Sequence, residues 1–319
     1  MRVLVTGGAG FIGSHIVDKL IQLNNEVLVV DNLSTGSIDN LNKKAIFKQG
    51  CITDGVFVDK VFESFRPQYV IHQAAQSNAN KSIENPVADC KTNILGTLVL
   101  LDIIRKYAVK KLVYASSAAV YGDGDKISLD EELPSNPISF YGLSKLTPEN
   151  YIKLYNDLYN VNYTIFRYAN VFGGRQNPQG EGGVVSVLIN KMINNITPSI
   201  FGDGTQTRDF IYVEDVVEAN ILALQNDVNG TFNLSTNKET TINELYFILS
   251  DILRKKYICD YKPRKKGDIL RSCLNNKKLK NQLGWEPRYS LEEGLKRTIE
   301  YTLMDEKVEY LDLINELIT

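Results

Sequence analysis

"MRVLVTGGAGFIGSH" (Met1–His15) decides how the chain folds. "RVLVT" is a short β-branched apolar run, and "IGSHIVDKLIQL" (Ile12–Leu23) carries apolar residues at helical spacing. Between them stand Gly7, Gly10 and Gly13, a G-x-x-G-x-x-G turn. Glycine there permits a tight turn and lets backbone amides approach a diphosphate, which a helix N-terminus also attracts. Glycines also punctuate ordinary turns, so the pattern alone is weak. The next apolar run, "EVLVVDN" (Glu26–Asn32), strengthens it by ending in Asp31, 18 residues past Gly13. A carboxylate there accepts both adenosine ribose hydroxyls and repels a 2′-phosphate, which predicts NAD over NADP.

The same rhythm repeats outward. "PQYVIHQAA", "KKLVYASS" and "VNYTIFRYAN" read as further buried strands, with helical stretches such as "NILGTLVLLDIIRKY" between them. Near-continuous apolar strands separated by helices predict a doubly wound parallel sheet covered on both faces. From about Phe172 the rhythm breaks into glycine-rich loops, and "FNLST" (Phe232–Thr236) reads as a late return to the sheet. The expected division is therefore interleaved. Residues 1–172, with a return segment 207–236, form a dinucleotide-binding domain; residues 173–206 and 237–319 form a smaller α/β substrate domain.

Composition removes several classes of function. The 319 residues carry a net charge of −2, spread without a basic stripe, so nucleic acid is not an expected partner. The apolar start is too short and too interrupted by glycine for a signal peptide, and no run is long enough to span a bilayer. Cys51, Cys90, Cys259 and Cys273 lie far apart without Cys-x-x-Cys spacing, and His15 and His72 have no partners at metal-site spacing. That pattern predicts reduced thiols, no structural metal and a cytoplasmic setting.

"FYGLSK" (Phe140–Lys145) places Tyr141 and Lys145 four residues apart, hence neighbours on one helix face. Taken alone, this is most often a solvated helix edge. Here "LVYASSAAVYG" precedes it, bringing Ser116 and Ser117 to the carboxyl end of a strand, where parallel sheets gather ligands. Ser117 lies 24 residues before Tyr141. This Ser…Tyr-x-x-x-Lys set behind the glycine turn resembles the short-chain dehydrogenase/reductase superfamily, in its extended branch. "SSAAVYG", "FYGLSK", "RYANVFG", "FGDGTQTRDFIYVEDV" and "LGWEPRYSLEEGL" are similar to the NAD-dependent nucleotide-sugar epimerases of the UDP-glucose 4-epimerase family. The resemblance runs from Met1 to about Thr302; the remaining "LMDEKVEYLDLINELIT" reads as an amphipathic helix.

The resemblance implies a Rossmann-type fold, a UDP-sugar substrate and a homodimer built on the helices around "NILGTLVLLDIIRKY" and "GLSKLTPENYIKLYNDLY". Its implied catalytic residues are Ser117, Tyr141 and Lys145. A free tyrosine titrates near ~10, so Tyr141 must be lowered by about three units to act as a base at neutral pH. Lys145 and the positive nicotinamide are the groups that would do so. Family positions for the cofactor are Gly7, Gly10, Phe11, Ile12, Gly13, Asp31, Asn32, Ser34, Thr35, Gly36, Cys51, Ile52, Gln73, Ala74, Ala75, Gln76, Asn93, Ser116, Tyr141, Lys145 and Tyr168. Cys51 stands where relatives usually have an acid against the adenine. For the substrate they are Asn78, Ser117, Tyr141, Asn170, Val185, Phe201, Arg208, Arg264, Lys265, Asp268 and Ser272. The family's usual arginine falls at Lys265, with Arg264 as its substitute. Ser272 stands beside the sugar's 2-substituent and leaves room for an acetamido group. Pro148 is expected to kink its helix or shift its start. Ala119 stands where related dehydratases and decarboxylases usually carry an acid.

Overall fold

A computed structural model describes residues 1–123, 128–178, 183–255, 258–264 and 269–305. The first half alternates strand and helix: β1 (Arg2–Thr6), α1 (Phe11–Gln22), β2 (Glu26–Asp31), β3 (Ile46–Gln49), α2 (Gly55–Phe65), β4 (Tyr69–His72), α3 (Ala79–Glu84), α4 (Pro86–Cys90), α5 (Gly96–Lys106), β5 (Lys111–Ser117), α6 (Phe140–Tyr159) and β6 (Tyr163–Tyr168). A π-turn over Lys91–Leu95 joins α4 to α5. The second half adds β7 (Asn170–Phe172), α7 (Val184–Ile193), β8 (Ser199–Phe201), β9 (Thr207–Arg208), β10 (Phe210–Tyr212), α8 (Val213–Gln225), β11 (Gly230–Leu234), β12 (Thr240–Thr241), α9 (Ile242–Ile252), β13 (Asp260–Lys262), α10 (Lys277–Leu283) and α11 (Leu291–Asp305).

Seven strands form one parallel sheet in the order β11-β6-β5-β4-β1-β2-β3. The order reverses between β1 and β4, and such a reversal opens a crevice at the carboxyl ends of the strands. Alternate residues supply opposite faces, as the two-residue period of a strand demands. Val3, Val5, Val27 and Val29 pack with α1 and α8, whereas Leu4, Leu28 and Val30 pack with α2, α5 and α6.

The late return of the chain to the sheet is found: Gly230–Leu234 pairs with Thr164–Tyr168. β3 is not expected from sequence, because "IFKQ" is short and mostly exposed at the sheet edge. A separate apolar cluster joins α7, α9 and α11 with Phe172, Phe210 and Tyr212. Pro148 does not shift the helix start: α6 begins at Phe140, capped by Ser139, and runs on through Pro148. The expected terminal helix falls mostly outside the described residues, since α11 is described only to Asp305. No helix among the described residues is long and apolar enough to cross a membrane.

Candidate active site

The crevice above the switch point holds a cleft lined from both sides of the reversal. Its floor is the β1–α1 turn. Gly7 has φ of +71°, and a Cβ there would sit 2.6 Å from Ala74 N; a Cβ on Gly13 would sit 2.1 Å from Gly7 O. Both positions exclude any side chain. Gly10 caps α1 without a side-chain acceptor, and Phe11, Ile12 and Gly13 at the start of the helix line the cleft. Asp31 closes one end. Its Oδ2 accepts Ala9 N–H at 3.0 Å and its Oδ1 accepts Leu33 N–H at 2.8 Å. A carboxylate has about four lone-pair sites, so each oxygen keeps capacity for a ribose hydroxyl. The donor set fits NAD.

Of the residues expected at the cofactor, Gly7, Gly10, Phe11, Ile12, Gly13, Asp31, Asn32, Ser34, Thr35, Cys51, Ile52, Gln73, Ala74, Ala75, Ser116, Tyr141, Lys145 and Tyr168 line this cleft. Three others stand back from it. Gly36 approaches Ala9 so closely that a Cβ would lie 2.9 Å from that backbone. Gln76 and Asn93 are tied to each other, Gln76 N–H donating to Asn93 Oδ1 at 2.8 Å and Asn93 Nδ2 to Gln76 O at 2.9 Å. Sequence reasoning missed Val30, Gly50, Ser77, Thr92 and Ala115, which also line the cleft. Thr92 lies on the π-turn, a form that often accompanies functional sites, and no residue pattern announced it.

Two of the three catalytic candidates, Tyr141 and Lys145, line the cleft. Lys145 is 4% exposed, and its Nζ donates to Ala115 O at 2.7 Å. Tyr141 lies one turn earlier on the same face, its backbone N–H bonded to Ser82 Oγ at 3.0 Å. Ser116 and Ser117 are separated by the strand's alternation. Ser116 is buried and donates to Glu149 at 2.5 Å, while Ser117 is half-buried and accepts from Ala119 N–H at 3.2 Å. Ser117 lies outside the dinucleotide cleft, next along the strand from Ser116.

A buried hydrogen-bond chain ties Tyr141 to the glycine turn. Thr97 Oγ1 donates to Asn93 O at 2.6 Å and so accepts from His72 Nε2 at 3.0 Å. That leaves Nδ1 of His72 to accept from Thr6 Oγ1 at 2.7 Å. Asn93 Nδ2 donates to Ser144 Oγ, which donates to Tyr141 O at 3.0 Å. Burial, aided by the Lys145 charge, pushes His72 down to about 3, so its ring is neutral.

The expected substrate residues are more scattered. Asn170 starts β7 and Phe201 ends β8. Asn78 caps α3, accepting from Asn80 N–H and Lys81 N–H. Val185 is buried in the α7–α9–α11 cluster. Arg208 Nη1 donates to Thr207 O and Ile269 O, each at 2.7 Å. Its neighbour Asp209 is fully buried under donors from Thr236, Asn237 and Leu274, with burial pushing its carboxyl up to about 6. Ser272 is 7% exposed. Arg264 is exposed beside Gly202, whereas Lys265 and Asp268 lie outside the described residues. Among the described residues, no group of three His, Cys, Asp or Glu is placed to hold a metal.

A parallel sheet with a glycine turn and an acidic β2 terminus over a Tyr-x-x-x-Lys helix defines a dinucleotide-dependent enzyme of the extended short-chain dehydrogenase/reductase type. Residues 3–235 match the NAD dependent epimerase/dehydratase family, and the chain belongs to it. The UDP-glucose 4-epimerase of Thermotoga maritima, solved with UDP-glucose, is 46% identical with a TM-score of 0.94, over 96% of this chain and 100% of that one. The UDP-glucose 4-epimerase of Thermus thermophilus, solved with NAD, is 39% identical with a TM-score of 0.91, over 94% and 98%. The UDP-N-acetylglucosamine 4-epimerase of Methanobrevibacter ruminantium, in complex with UDP-N-acetylmuramic acid, is 35% identical with a TM-score of 0.91, over 95% and 98%.

Proposed function

We propose that this chain is an NAD-dependent isomerase that inverts C4 of a UDP-sugar, interconverting UDP-glucose with UDP-galactose and also accepting the N-acetylhexosamine pair. The observation that carries this reading is Tyr141 and Lys145 on one face of α6, lining the dinucleotide cleft. NAD, when bound, supplies a hydride acceptor at its nicotinamide ring. Tyr141 takes the proton from the sugar's 4-hydroxyl. Ser117 hydrogen-bonds the same oxygen and steadies the carbonyl as it forms. Lys145 supports the phenolate by its charge. The keto sugar then presents its other face, Tyr141 returns the proton, and no net redox change remains.

The remaining cleft-lining residues hold the dinucleotide in this reading, with Asp31 on the adenosine ribose. Asn170 and Arg208 take the substrate's diphosphate, Phe201 stacks on its base, and Arg264 assists. The proposed division is a dinucleotide domain over residues 1–172 and 207–236, and a substrate domain over 173–206 and 237–319. The second copy of a homodimer would cover α6, whose Phe140, Leu143, Tyr151, Leu154 and Leu158 form an exposed apolar stripe 40–67% accessible. A cytoplasmic setting agrees with four free cysteines. Incubating the protein with UDP-, GDP- and dTDP-sugars and resolving 4-epimers tests the activity. Epimers from UDP-hexoses are expected, and their absence from every sugar would refute it.

A further inference from the structure

Glu149 continues the row of Tyr141 and Lys145 by one more helical turn, and it is completely buried. The mechanism gives it no role. Its Oε1 accepts from Ser116 Oγ at 2.5 Å and from Arg167 Nε at 3.1 Å; its Oε2 accepts from Arg167 Nη2 at 2.7 Å. Ser116 and Arg167 are register partners across β5 and β6, so the three groups close a ring between two strands and α6. The Tyr121 ring lies 4.7 Å from the Arg167 guanidinium. Burying such a pair offers little net stability over apolar residues of the same volume, because both charges lose their water. What it does provide is a fixed geometry.

That geometry falls on the catalytic groups. Successive residues of β5 are fastened to successive turns of α6: Ala115 O holds Lys145, and Ser116 Oγ holds Glu149. Ser117 is the next residue along the strand, and Tyr141 is the remaining member of the row. We propose that the Ser116–Glu149–Arg167 cluster is a positioning device that fixes β5 against α6 so that Ser117 and Tyr141 reach one sugar oxygen together while Lys145 stays beside the Tyr141 phenolate. The proposal rests on the function given above. A misplacement of about 1 Å can cost about a hundredfold in rate, so a small slide of the strand is enough to matter.

Ser116→Ala tests it, because it releases the strand from Glu149 without leaving either buried charge unpaired. The expected result is a ten- to hundredfold loss in kcat per NAD-loaded site (about the range a misplaced group causes), with KM for UDP-galactose within about twofold of wild type. The lower limb of the kcat pH profile should also move to higher pH, because Tyr141 loses part of its support from Lys145. Ser116→Thr restores a hydroxyl and should recover most of the rate. Wild-type kcat and pH profile in folded, NAD-loaded Ser116→Ala would overturn the proposal. So would a fall in bound NAD with unchanged kcat per loaded site. The double variant Glu149→Met/Arg167→Met replaces the pair by apolar side chains. A folded double variant with wild-type kcat overturns the proposal, and reduced kcat at unchanged KM supports it; if it does not fold, the Ser116 variants decide. Tyr141→Phe separates the two ideas. Retained turnover there means the functional reading has failed, whereas lost turnover beside an unaffected Ser116→Ala means only the positioning claim has.

Discussion

The Lys145 ammonium lies 2.7 Å from the carbonyl oxygen of Ala115, two residues before Ser117 on the same strand. One strand terminus therefore carries the proposed hydroxyl and also anchors the cation that supports the proposed base. From this follows a first prediction. Tyr141→Phe keeps the ring and its packing but removes the ionisable oxygen, so turnover should fall by about 10²–10⁴ while NAD remains bound. Near-normal turnover, measured with bound NAD quantified by absorbance, would show that another group moves the proton.

Asp31 accepts two backbone amides and ends β2 at the edge of the cleft. Asp31→Ala removes the acceptor proposed for the ribose diol and the charge that repels a 2′-phosphate. NAD affinity should fall, and discrimination against NADP should relax by tenfold or more, since each factor of ten needs only about 1.4 kcal/mol. Titration with both cofactors measures this, and an unchanged preference means the carboxylate does not face the ribose.

Much of this architecture is legible in the sequence because its signals are local. The glycines at 7 and 13 are required by contacts of 2.6 and 2.1 Å that no Cβ could make, so the turn announces itself. Tyr141 and Lys145 are visible for the same reason, since a helix face is set by spacing. Long-range partners are less so. In the sequence Glu149 is an ordinary helical acid; only the fold sets Arg167, 18 residues on, against it. Of the two effects expected of Pro148, a kink or a shifted start, the shifted start is not found, because Ser139 caps the helix ahead of it and the helix runs on without that one donor. β3 escapes because an edge strand with exposed residues lacks the apolar run that marks its neighbours.

His72 predicts acid sensitivity. Its folded value is about 3 and its ordinary value is 6.5. Between those values the unfolded chain binds a proton that the folded chain refuses, so stability is lost as pH falls below about 6.5, with a slope of up to about 1.4 kcal/mol per pH unit from this one group. His72→Asn should be less stable at pH 7, where it breaks the Thr6 and Thr97 contacts, yet should lose less stability than wild type between pH 7 and 5. Urea midpoints at pH 7, 6 and 5 test this. Parallel slopes in the two proteins would mean that His72 is not the group responsible.

Ser272 is 7% exposed, so a larger side chain there must displace its surroundings. If it lies beside the sugar's 2-substituent, Ser272→Tyr should spare UDP-glucose and UDP-galactose and impair the N-acetylated pair ten- to hundredfold, the effect of about 1–3 kcal/mol of overpacking. Equal loss on both pairs, or none on either, would place this residue away from the substrate.

In the proposed reaction, hydride leaves C4 and returns to the same carbon within one active site. This return is tested most directly with UDP-galactose carrying deuterium at C4. The expected product is UDP-glucose that retains the label at C4, with no accumulation of reduced cofactor. Loss of the label to solvent, build-up of reduced cofactor, or a dehydrated product would contradict it.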